Sequence, residues 1–153
     1  MSSVQKCRSV YCCLHWKDAD LWWELKDHLS VLVRLGYIII TSDLDILPGS
    51  DLWQARIKLA NEADIILLLF SHHFMADDYC YAIARQSLIR YHTGEAQVVL
   101  VMLSSVHYTG LLVDSLPRLP LTRHITGWPD INEAFVEVVK GIREIVTQKE
   151  RWL

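Results

Sequence analysis

Residues 63–84, ADIILLLFSHHFMADDYCYAIA, decide the fold. Ile65–Phe70 is an unbroken apolar run of strand length followed by turn-type residues, the pattern of a strand buried on both faces of a parallel sheet. From Asp78 onward, Cys80, Ile83, Ala84, Ser87, Leu88 and Tyr91 recur at helical spacing and form one face of an amphipathic helix. A buried strand that turns through a polar corner into a helix is half of a βαβ unit. In open α/β sheets, ligands sit at such corners, outside the carboxyl ends of the strands.

Outward from this unit the same alternation repeats. Ser9–Leu14 reads as a first strand. Asp18 is placed to cap a helix in which Leu21, Leu25, Leu29, Leu32 and Val33 line one side, ended by Gly36. Tyr37–Thr41 is a second β-branched strand, and Pro48-Gly49 marks the following segment as a loop. Ser50 or Asp51, with Gln54 in capping-box position, opens a short helix ending near Asn61. Thr93-Gly94 stops the helix that begins at Asp78, and Gln97–Leu103 is a fourth strand. Between Ser104 and Pro129 the pattern predicts a helical turn near Gly110–Ser115 and a fifth strand around Arg123–Ile125, after the Pro117 and Pro120 breaks. Asp130 and Glu133 read as a capping box for a last helix with Phe135, Val138, Val139, Ile142 and Val146 on its inner face. Five strands alternating with helices imply a flavodoxin-like α/β three-layer sandwich with a five-stranded parallel sheet. One domain accounts for residues 1–153, with its core at about 8–147 and Lys149–Leu153 as a tail or the start of a connection.

The chain has 153 residues and a net charge of −3, with no basic stripe, which argues against nucleic-acid binding. Its longest apolar runs are far shorter than a membrane span and no signal-peptide core opens it, so a cytoplasmic protein without membrane contact is expected. Cys7, Cys12, Cys13 and Cys80 follow no disulfide or zinc spacing and read as reduced thiols. Trp22, Trp23, Trp53 and Trp128 fall in or beside helices, where packing accounts for them. Trp16 follows the first strand, at the edge where ligands bind.

Known site chemistries fail at these corners. The six glycines are scattered, so neither a dinucleotide fingerprint nor a Walker loop is present. Strand ends reading Cys13-Leu14-His15 and Phe70-Ser71-His72 lack the acids of a phosphoacceptor site. His72-His73 has no third ligand in view, so no metal site is expected. Cys80 lies in the first turn of a helix, where the dipole lowers a thiol pKa, and with His72 or His73 near it would form a nucleophilic pair, but a small buried residue on the inner helix face is the preferred reading.

Three segments in order, DLDILPGSDLWQ, the 63–84 stretch and GWPDINEAFVEVVKGIREIV, resemble a bacterial TIR (Toll/interleukin-1 receptor) domain, the similarity running from about Val10 to Val146. The resemblance implies the same flavodoxin-like fold and two kinds of function. Some members cleave NAD at the nicotinamide glycosidic bond, often in defence against phage; others signal by stacking on one another. In both, the loop after the second strand is a main assembly contact and borders the nucleotide site. Here that loop supplies Asp43, Asp45, Ile46, Leu47, Pro48 and Gly49. The resemblance places Leu14, His15, Trp16, Asp45, Leu47, Cys80 and Ala84 around a nucleotide, NAD or a derivative of it.

Enzymatic members carry a glutamate four residues after the cysteine of the pattern that Asp78-Tyr79-Cys80-Tyr81 matches. In this chain that position is Ala84. A carboxylate there would stabilise the oxocarbenium-like state or hold the ribose hydroxyls; alanine does neither, and no nearby acid substitutes from sequence. Two origins fit: exchange of a working enzyme's glutamate, or loss in a member retained for binding. Cys13-Leu14 in place of the usual serine and aromatic, His72 where proline is common, and the departures at Ala82 and Arg85 favour the second. The expectation is therefore a TIR signalling and assembly module with no catalytic residue and no required cofactor, partnered by other TIR domains in homo-oligomers, hetero-oligomers or filaments. The alternative is an NAD glycohydrolase whose glutamate is replaced by Ala84. An unrelated α/β domain would leave the matching segments as coincidence.

Overall fold

The computed structural model describes residues 6–148. Five parallel strands, β1 (Arg8–Cys13), β2 (Ile38–Ser42), β3 (Ile65–Phe70), β4 (Gln97–Met102) and β5 (Arg118–Leu119), form one sheet in the order β2-β1-β3-β4-β5. Helices α1 (Ala19–Arg34), α2 (Leu52–Glu62), α3 (His72–Ala76), α4 (Asp78–His92) and α5 (Ile131–Gln148) connect and cover it. This is the three-layer α/β arrangement expected from the sequence.

The period-2 geometry of a strand sorts the apolar runs into two cores. Ile65, Leu67 and Leu69 face the layer of α1 and α5, where Trp22, Leu25, Leu29, Phe135 and Ile142 are buried. Ile66, Leu68 and Phe70 face the layer of α2 and α4, with Ala60, Phe74, Cys80, Ile83 and Ala84. The end of α1 is set by Gly36, whose φ of 78° suits glycine. The Gly36 N–H bonds Val33 O and the Tyr37 N–H bonds Leu32 O, a Schellman closure that delivers the chain into β2.

Several local expectations require correction. Val33 lies 42% exposed on α1 and Trp22 takes the inner position instead. The Asp18 carboxylate does not cap α1; it accepts a hydrogen bond from the Ser71 hydroxyl. The Asp130 carboxylate accepts from the Asn132 N–H, and the Glu133 N–H bonds the Asp130 backbone carbonyl instead of its side chain, so the expected reciprocal box is not formed. The fifth strand is Arg118–Leu119, and Ile125 instead opens a 3₁₀ turn (Ile125–Gly127) that buries it. The two prolines flank the strand without breaking it, because an edge strand leaves one side of the backbone unpaired. Pro117 O accepts from Leu100 N–H, and the Leu119 side chain lies where a Cβ at Gly141 of α5 would intrude. The tail reading of Lys149–Leu153 lies outside the described residues.

Cys12, Cys13 and Cys80 are buried and Cys7 is exposed. Burial pushes the Cys12 and Cys13 thiols and the Tyr11 phenol well above their ordinary values. Groups raised in the folded state contribute stability that is complete below their unfolded values and lost as pH rises through the folded ones. The melting temperature should therefore hold near neutrality and fall above about pH 9. Thiol titration of the native protein should modify Cys7 alone, with the buried thiols reacting only after denaturation. Native reactivity of Cys12 or Cys13 at neutral pH would contradict this packing.

Candidate functional site

Two buried carboxylates tie together the turns at the carboxyl edge of the sheet. Asp43 follows β2, yet its side chain turns into the sheet corner and accepts from the Leu14 N–H (3.0 Å) and the Tyr11 hydroxyl. Arg56 of α2 approaches the same carboxylate at 3.1 Å and reaches Leu14 O at 3.4 Å. Asp18, after β1, binds the Ser71 hydroxyl at the N-terminus of α3. The turns after β2, β1 and β3 are thus cross-tied in their spatial order.

Electrostatics at the first tie follows from its burial. Desolvation raises the Asp43 carboxyl above the usual carboxylate range, with Arg56, Tyr11 and the Leu14 N–H acting in the opposite direction. Burial also works against the Arg56 charge, but Asp43 together with smaller contributions from Cys13, Cys80 and Tyr11 outweighs it and raises the guanidinium above its ordinary value.

Asp43, expected among the assembly-loop residues, is therefore a buried anchor, 8% exposed. The rest of that loop lies outside. Asp45 closes a short turn by accepting from the Ser42 N–H at 2.9 Å while Ser42 Oγ accepts from Leu44 N–H. The Ser50 N–H bonds Leu47 O at 3.2 Å across Pro48-Gly49, and Gly49 has φ 87°, the features of a type II turn. Leu47 projects from it, 74% exposed, beside half-buried Ile46.

On the other side of the corner, aromatic rings form a shelf. Trp16 is 68% exposed and stacks with His15 at 5.5 Å; His15 stacks with His73 at 5.7 Å, and His73 meets His72 at 4.0 Å. The Lys17 N–H donates to His15 Nδ1, which places the proton of neutral His15 on Nε2, 3.8 Å from Asp77. Asp77 caps α4 by accepting from the N–H groups of Tyr79 and Cys80. Farther along, Trp53 and Tyr79 pack at 5.6 Å.

The structure thus brings His15 and Trp16 together on one surface. Leu14, Cys80 and Ala84, also expected around a nucleotide, have side chains buried in the two cores, Ala84 at 0% exposure. Asp18, Asp43, Asp45 and Asp77 are all engaged in hydrogen bonds that hold turns or helix ends. Such a surface can stack a planar group and make an apolar contact, but none of these acids is free to stabilise a developing cation. Among the described residues no cluster of side chains suited to a metal ion occurs, and no helix is long and apolar enough to cross a membrane. The sequence reading missed Tyr11 and Arg56, and it weighed His73 only as a metal ligand or a neighbour of Cys80, not as part of a stack with His15. Arg56 could have been found, since it lies four residues before buried Ala60 on the inner face of α2.

No protein-family model matches the chain. It is similar to y4lF, an uncharacterized protein of Sinorhizobium fredii, with 39% identity over 138 residues that cover 89% of this chain and 43% of y4lF. The chain therefore spans less than half the length of that relative.

Proposed function

We propose that the chain is a TIR-type signalling module of bacterial antiphage defence. It associates with a second copy or another TIR domain through its β2–α2 loop, and it holds NAD or a derived nucleotide without hydrolysing it. The observation that carries the reading is the loop itself: an exposed Leu47 on a type II turn, rooted in the core by Asp43 and Arg56. A large apolar side chain held out on a rigid base is suited to insertion into a partner's pocket. The histidine–tryptophan shelf across the corner from it offers a stacking surface for a base, and Ala84 stands where the resemblance would place the catalytic acid.

Incubation of the purified chain with NAD, followed by calorimetry and by chromatography for nicotinamide, tests the nucleotide part. Binding without nicotinamide release is expected. Trp16→Ala should weaken the binding about tenfold, the loss of one base–aromatic stack. Sustained nicotinamide release would replace this reading with an NAD glycohydrolase, and an absence of binding would remove the nucleotide from it.

A further inference from the structure

A concavity lies at the opposite edge of the sheet from the shelf and the loop. About 430 Å³ in volume, it is bounded by Arg8 at the start of β1, Asp64 before β3, Glu95 and Gln97 before and at the start of β4, and Ile145 and Gln148 in the last turns of α5. That volume is in the range of small-molecule sites.

Arg8 is only 7% exposed, and its Nε is buried without a hydrogen-bond partner. Among the described residues no carboxylate forms an ion pair with it, although Asp64 and Glu95 line the same cavity. A buried guanidinium N–H without a hydrogen-bond partner, on a side chain with no paired carboxylate, is costly to the fold and needs an explanation. The acids of the cavity are turned to other groups. Asp64 accepts from the N–H and hydroxyl of Ser9, and Glu95 accepts from the Thr93 hydroxyl and lies 3.7 Å from Arg90.

We infer that this cavity binds a small zwitterion of the α-amino-acid class, its carboxylate on Arg8 and its ammonium toward Asp64 and Glu95. The forked donors of a guanidinium match a carboxylate. A phosphate or a dicarboxylate would bring its added charge against Asp64 and Glu95, whereas a zwitterion satisfies both signs. Ile145 supplies an apolar wall for a side chain, and Gln97 and Gln148 supply neutral amides. This assignment is independent of any nucleotide or partner at the other edge.

The test is a thermal-shift and calorimetric screen of the full chain against the standard L-amino acids. Each one that binds is compared with its deaminated acid and its decarboxylated amine. At least one amino acid should raise the melting temperature saturably, with both one-charge counterparts about tenfold weaker or more. Arg8→Met, which keeps the buried stem and removes the charge, should abolish that rise while the unliganded variant melts at or above the native temperature. Asp64→Asn should weaken binding in the same direction. No shift with any amino acid, a shift retained in Arg8→Met, or equal binding of the acid or amine alone would each overturn the assignment.

Discussion

Asp43→Ala should lower the folding free energy by about 3–5 kcal/mol, because it strands the Arg56 guanidinium in the protein interior. It also removes the acceptor of the Leu14 N–H and the Tyr11 hydroxyl. Urea denaturation provides the measurement. Asp43→Leu combined with Arg56→Met, which removes both charges, should recover much of the loss, since an apolar pair of similar volume can replace a buried ion pair. Acid acts differently from the mutation. Burial raises the Asp43 carboxyl in the folded state, so its own contribution is greatest below the unfolded carboxylate range and declines as pH rises through the folded value. Asp43→Asn, which mimics the protonated form, should therefore cost less than Asp43→Ala. Equal losses for the two would contradict the buried, multiply bonded geometry.

Ala84→Glu is the second large effect. Ala84 has no exposed surface and packs in the layer with Tyr11, Cys13, Phe70 and Cys80. A glutamate there adds volume to a filled core and a carboxyl where Arg56, the buried cation of this face, is already paired with Asp43. A loss of about 2–4 kcal/mol is expected from overpacking and polar burial together. Restored NAD cleavage is not expected, because the neighbouring packing is adapted to alanine. A stable Ala84→Glu protein that releases nicotinamide would favour the hydrolase reading instead.

Much of the fold was legible because its elements follow strong periodic patterns. Ile65–Phe70 and Asp78–His92 stand where the apolar run and the helical face place them. The fifth strand was misplaced because only two residues pair, and its position rests on Leu119 packing over Gly141, a contact 22 positions away in sequence. The corner was legible in outline and not in role. Asp43 looked like one more polar residue of a loop, since nothing local shows that its carboxylate meets Arg56 from the next helix. His73 likewise gains its place from a stack with His15, which only the pairing of β1 with β3 brings near.

Association through the β2–α2 loop is tested most directly by sedimentation velocity across a concentration series, native chain against Leu47→Glu. The native protein should sediment faster as concentration rises. The variant should stay monomeric with an unchanged melting temperature, because Leu47 supports no part of the core. A native chain that remains monomeric at every concentration, with and without NAD, or a Leu47→Glu chain that assembles as the native one does, would contradict it.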